Sequence, residues 1–125
     1  MQARSFRGLL VWRQSMNLAK ECYFLTKKLP KEELYGLSRQ MRRAAISVPA
    51  NIAEGSGRGT KRDFTNFLRI AQGSLRELET YLELTVEIEL LSRENTESLQ
   101  TEIDSIARLL NRLIQSLQSP ATPTT

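Results

Sequence analysis

The sequence predicts an all-α chain folded as an antiparallel up-down-up-down four-helix bundle, and three observations carry that prediction. Four stretches repeat apolar residues at spacings of three and four, the period of a helix with a buried face. Short connections separate them, marked by Pro30, by Gly55, Gly57 and Gly59, and by Ser92 to Asn95, and short connections make neighbouring helices antiparallel. The composition is 40% hydrophobic but only 6% aromatic, which suits helices better than strands. At 125 residues the chain makes one domain. That domain is expected over residues 1–119, with the apolar-poor residues 120–125 a disordered tail.

The first helix is predicted from about Leu10 to Lys28. Val11, Leu18, Cys22, Leu25 and Leu29 form one apolar row, and Trp12, Met16, Ala19 and Tyr23 an adjoining one. Together they are wider than one buried face requires, so this helix should touch more than one neighbour. Phe24 falls on the opposite side with Arg13, Lys20 and Lys27, either as an ordinary exposed ring or as part of an oligomer interface. Leu29-Pro30 stops the helix, because a residue before proline avoids the α region.

The second helix is predicted over about Tyr35 to Glu54, with Leu34, Leu37, Met41, Ala44, Ala45, Val48 and Ile52 as its stripe. Pro49 removes an i→i−4 bond, so a kink or a fresh first turn is expected there, with Ser47 accepting a freed backbone donor. The glycine segment that follows reads as a helix end, a flexible turn and a restart at Thr60, with Asp63 in the capping-box position. It lacks the Walker spacing and no strand precedes it, so it is no nucleotide loop.

The third helix is predicted over about Lys61 to Leu91, with Phe64, Phe67, Leu68, Ala71, Leu75, Leu78 and Leu82 as its seam. Gly73 falls opposite that seam, where glycine costs about 1 kcal/mol relative to alanine and points to close approach by another backbone. Glu79, Glu83 and Glu87 form an exposed row at i, i+4, i+8. The fourth helix, predicted over residues 95–118, alternates fours and threes through Leu99, Ile103, Ile106, Leu110, Leu113 and Leu117, a bundle seam.

Charge divides the chain. Residues 1–62 hold 13 Lys/Arg and 4 Asp/Glu, net +9, and residues 63–125 hold 5 and 10, net −5, together the +4 of the whole. An up-down bundle places the first two helices on one flank and the last two on the other, so copies can pack basic flank to acidic flank. That contact is heterologous and closes into a ring if the rotation allows. A homo-oligomer is therefore expected, with Phe24, Gly73, Glu79, Glu83 and Glu87 as interface residues.

The residue inventory excludes much chemistry. There is no histidine and a single cysteine, so Ser-His-Asp and Cys-His arrangements and Cys/His zinc sites cannot form within one chain. No cofactor or metal is predicted, and catalysis is not; a Mg²⁺ enzyme using Asn51 and Glu54, or the Glu79 row, is the remaining enzymatic reading. No secretory signal or transmembrane run is visible, which predicts a cytoplasmic location. Candidate nucleic-acid ligands are Arg39, Arg42 and Arg43 on the outer side of the second helix, and Arg58, Lys61 and Arg62 beside the free N–H groups opening the third. An ordinary solvated face is the other reading of the same cations.

The ordered set Val11-Trp12, Tyr35-Gly36-Leu37, Gln40, Arg43-Ala44, Ser47-x-Pro49-x-Asn51-Ile52-Ala53-Glu54-Gly55 and Phe67-Leu68-x-x-Ala71-x-Gly73-Ser74-x-x-Glu77-Leu78 resembles the bacterial four-helix-bundle family associated with 23S rRNA intervening sequences. The resemblance runs through the third helix, while the fourth shares only its leucine pattern. Some relatives form pentameric rings, and the family is similar to the accessory variability determinant of diversity-generating retroelements. The resemblance thus implies an assembly-forming protein that works beside RNA, a reverse-transcriptase-like protein or a ribosome-related one. A protein-binding scaffold that never touches nucleic acid is the alternative.

Overall fold

The computed structural model describes residues 5–118, all-α, with four long helices: α1 (Leu10–Thr26), α2 (Leu37–Ser56), α3 (Lys61–Glu87) and α4 (Arg93–Gln118). Short 3-10 turns at Phe6–Gly8 and Lys31–Glu33 precede α1 and α2. The residues expected to form a disordered tail lie outside those described. Each helix packs on its neighbours in the chain and α1 closes on α4, while the diagonal pairs make no close contact.

Cross-helix hydrogen bonds fix the directions. Gln14, Asn17 and Glu21 of α1 meet Ser105, Glu102 and Ser98 of α4, one series rising as the other falls. Gln72, Glu79 and Glu83 of α3 descend against Asn111, Gln100 and Arg93 of α4. Ser47 of α2 bonds Ser74 of α3, and Gly55 lies against Phe64 and Phe67. Three antiparallel pairs in a closed ring of four make the remaining pair, α1 and α2, antiparallel as well. The up-down-up-down path expected from the short connections follows.

The core follows the stripes the spacing predicts, with Leu18, Met41, Ile52, Leu68, Leu78, Leu82, Ile103, Ile106 and Leu110 fully enclosed, except that Leu34 falls before α2 begins and is exposed. Burying each such side chain contributes roughly 1.5–3 kcal/mol before conformational entropy is charged against it. In α1 only the row of Val11, Leu18, Cys22, Leu25 and Leu29 is buried; Met16 and Tyr23 of the second row stay largely exposed. Enclosure pushes the Cys22 thiol up to about 12, against a small opposing pull from Arg42.

Several local expectations need correcting. Pro49 does not break α2, which runs unbroken through it to Ser56. Ser47 Oγ takes no backbone donor; it accepts the Asn51 side-chain amide at 2.9 Å and pairs with Ser74 Oγ at 2.8 Å. The α1 helix stops at Thr26 because the next three N–H groups turn back three residues, to the carbonyls of Phe24, Leu25 and Thr26. The predicted run of α3 to Leu91 is four residues too long. Glu89 turns left-handed at φ 62°, and the N–H groups of Leu90 and Leu91 both return to the Thr85 carbonyl. Ser92 Oγ then accepts the Asn95 N–H and starts α4 two residues before the expected position. Thr60 does cap α3, accepting the Asp63 N–H at 3.1 Å.

Gly55 is the most consequential misreading. It is helical and buried inside α2, and among the described glycines only Gly59 has a positive φ. A Cβ at Gly55 would lie 2.6 Å from Phe67 Cβ and 3.3 Å from the Phe64 carbonyl oxygen, so its lack of a side chain lets α2 and α3 touch. Gly55→Ala should therefore lower the unfolding free energy by about 2–3 kcal/mol through overpacking against backbone. Gly57→Ala, with nothing nearer than 3.7 Å, should change it by no more than about 0.5 kcal/mol. Urea unfolding of the pair checks both, and equal effects would refute the close-approach role.

Candidate nucleic-acid interface

The six cations singled out in the sequence do not form one patch. Arg39, Arg42 and Arg43 lie near the start of α2, while Arg58, Lys61 and Arg62 surround the α2–α3 turn. At 1.5 Å per helical residue the two groups stand roughly 25–30 Å apart, at opposite ends of the bundle. Arg58 pairs with Glu54 at 3.1 Å and lies over the Phe67 ring. Lys61 and Arg62 are exposed, but Asp63 sits in the same first turn and opposes an anion there.

Arg42 departs furthest from its expected free position. It folds back over α1, donating from Nε to Thr26 Oγ1 at 2.7 Å, with its guanidinium 4.1 Å from the Tyr23 ring centroid. Its planar group suits both contacts at once, which a lysine could not reproduce. Arg39 and Arg43 remain exposed.

The structure extends the basic surface onto α1. Arg13, Lys20 and Lys27 recur every seven residues and all are exposed, with Met16, Tyr23 and Phe24 among them. Lys27 Nζ lies 5.4 Å from the Tyr23 centroid and 5.3 Å from that of Phe24. The two carboxylates of these helices are engaged elsewhere: Glu54 with Arg58, and Glu21 with Ser98 of α4. The outward faces of α1 and α2 thus carry cations and rings without a free helical carboxylate. The heptad spacing of Arg13, Lys20 and Lys27 is visible in the sequence; their continuity with Arg39 and Arg43 needed the packing of α1 on α2.

Part of the acidic half is tied internally. Glu83 takes two hydrogen bonds from Arg93, both 2.9 Å, and these hold its carboxyl below the usual range. Glu79 accepts from Gln100, which also donates to Asp104. Of the predicted row, Glu87 is exposed without such a bridge to α4. Among the described residues no three acidic or thiol groups converge as metal ligands. Asn51 and Glu54 are likewise occupied: Asn51 Nδ2 donates to the Ser47 carbonyl and hydroxyl, inside the α2–α3 contact. Ile52 is core, Ala53 half-buried and Gly55 the crossing point, so this five-residue motif serves packing. Gly73 meets nothing within 4 Å, and Ile70 and Leu84 on the same helix, with Ile88 just past its end, are exposed.

An open cleft of about 830 Å³ lies between α1 and α4, lined by Gln14, Asn17, Glu21, Ser98, Glu102 and Ser105 among others. Glu102 Oε1 accepts the Asn17 amide at 2.9 Å, while Oε2 is buried without a donor. Burial pushes this carboxyl up to about 7, aided by its hydrogen bond with Glu21 and opposed by Asn17. A proton on Oε2 would turn this buried acceptor into a donor, so geometry and acidity agree. No helix among the described residues is long and apolar enough to cross a membrane.

Comparison with known proteins gives a consistent result. The family described as "23S rRNA-intervening sequence protein" matches residues 7–112, reaching well into α4. A crystal structure from Bacteroides thetaiotaomicron, described as a protein with unknown function from the S23 ribosomal protein family, is 32% identical. It covers 85% of this chain and 99% of its own length at a TM-score of 0.79. No curated protein matches.

The Glu102 carboxyl yields a pH test. Its folded value, about 7, lies above the ordinary 4.5, so the folded state holds the proton more tightly. The stabilisation is complete below about pH 4.5 and is lost as pH rises through about 7. Solvent screening of this partly exposed group reduces the change to about 1 kcal/mol. Glu102→Gln should flatten that decline in urea unfolding and leave the protein more stable than wild type on the alkaline side. A slope unaltered by the substitution would place the titration elsewhere.

Proposed function

The chain belongs to the 23S rRNA-intervening sequence protein family, and from that premise we propose that it is a non-enzymatic, self-associating bundle that binds RNA. The observation that carries this reading is the outward surface of α1 and α2, where Arg13, Lys20, Lys27, Arg39 and Arg43 are exposed while Glu21 and Glu54 are engaged elsewhere. A polyanion gains from such a surface by releasing counterions at each neutralised phosphate. With no histidine in the chain, no nucleophile among the described residues stands beside an imidazole base, which favours a binding role over catalysis. The assembly is taken to act in the cytoplasm beside a ribonucleoprotein.

A second reading, a protein-binding scaffold, is favoured by the unpartnered α3 surface of Ile70, Gly73, Leu84 and Ile88. The same surface serves self-association, with α3 of one copy approached closely at Gly73.

Two experiments separate these. Binding to structured RNA should weaken steeply with salt, and Arg39→Ala with Arg43→Ala should lower the logarithmic salt slope by about 1–2 while leaving helix content unchanged. Salt-insensitive binding, or none, would refute the RNA reading. Gly73→Ala has open space in the single chain, so it should stabilise the fold by about 1 kcal/mol. In sedimentation velocity it should shift the protein toward smaller species; an unchanged distribution would remove Gly73 from any interface between copies.

A further inference from the structure

Resting on the RNA reading above, we infer that the basic face takes single-stranded RNA, with the exposed Phe24 ring as a stacking platform for an unpaired base. Phe24 is 60% exposed, and the T-shaped Phe6–Trp12 pair is the aromatic contact found among the described residues, so no ring of the chain covers it. It is not an isolated surface phenylalanine. Lys27 places its ammonium beside both Phe24 and Tyr23, and Arg42, anchored on Thr26, holds the Tyr23 ring from the α2 side. Phe24, Lys27, Tyr23 and Arg42 therefore form an alternating ribbon of rings and cations that crosses from α1 to α2.

That alternation selects the ligand. Duplex RNA presents phosphates and 2′-hydroxyls while keeping its base faces stacked inside, so an exposed ring gives it nothing. An unpaired strand offers a base face and a phosphate at each nucleotide, and aromatic stacking adds to cationic contacts at that spacing. A second copy of the chain fits less well. Its acidic helices offer exposed carboxylates, but the rings they carry, Phe64, Phe67 and Tyr81, are partly buried against the core, so they present no open face for Phe24 to stack on.

The test is fluorescence anisotropy at low salt with a labelled unpaired oligonucleotide of about 12 residues and the duplex formed with its complement. Wild type, Phe24→Leu, Phe24→Trp and the double variant Lys20→Gln, Lys27→Gln are compared. Wild type should prefer the single strand. Phe24→Leu keeps apolar bulk but loses the ring face, and should weaken single-strand binding roughly ten-fold with no effect on duplex. Phe24→Trp should retain it, and the lysine variant should weaken both ligands.

Equal affinity for the two ligands, with Phe24→Leu silent, would overturn stacking and leave the RNA reading intact. Binding to neither ligand by wild type would overturn both. A Phe24→Leu change in self-association rather than in RNA affinity, seen in sedimentation velocity, would also overturn the proposal and assign the ring to an interface between copies. Because Phe24 is exposed, circular dichroism melting should show all variants folded.

Discussion

The close approach of α2 and α3 at Gly55 is the constraint on which the rest of the bundle depends. With no Cβ in the way, the helix faces meet through the Phe64 and Phe67 side chains, and higher up Ser47 and Ser74 bond hydroxyl to hydroxyl. This is the most extensive of the four interfaces. It fixes the register in which Ile52 and Val48 reach the core beside Leu68, Ala71 and Leu75. The motif Asn51 to Gly55 is thereby a packing device: Asn51 steadies Ser47 from within α2, and Glu54 holds Arg58 at the turn. Small residues at a crossing let backbones come near, and dispersion between closely packed surfaces supplies the return.

Around this rigid pair the charges have different employments. On α3 and α4 the acidic side chains join helices: Arg93 grips Glu83, and Gln100 spans Glu79 and Asp104. On α1 and α2 the cations mostly point outward, and Arg42 alone is turned inward to link Tyr23 and Thr26 across the helix pair. The +9 and −5 halves of the sequence are thus not mirror images in structure. The acidic half uses part of its charge to join its helices and leaves the rest, Glu77, Glu94 and Glu97 among it, to solvent, while the basic half leaves most of its charge to solvent or to a ligand.

Much of the fold was legible in the sequence because three-and-four spacing and a buried stripe are the same fact stated twice. Met41, Val48 and Ile52, or Leu99, Ile103 and Ile106, were assigned to the core by position alone and lie there. Helix ends were less legible. Leu90 and Leu91 continue an apolar run without glycine or proline, so nothing announced that Glu89 would adopt a left-handed turn. Gly55 failed in the opposite direction: alternating glycines look like a loop, and only the nearness of Phe67 shows that the first belongs to a helix. The site was less readable still. Periodicity places Arg42 outside but cannot say that a long side chain lies back across a neighbouring helix, nor that the length of α2 carries two basic clusters to opposite poles.

Cys22 brings a practical consequence of the same dense interior. Its thiol is sealed behind α1 and ionises near 12, so at neutral pH it offers neither a thiolate to oxidants nor access to alkylating reagents. The native chain should therefore resist maleimides without any cysteine being removed. A new cysteine introduced on an outer face would be the sole reactive sulfur, so probes or photo-crosslinkers can be installed one position at a time in an otherwise unaltered protein.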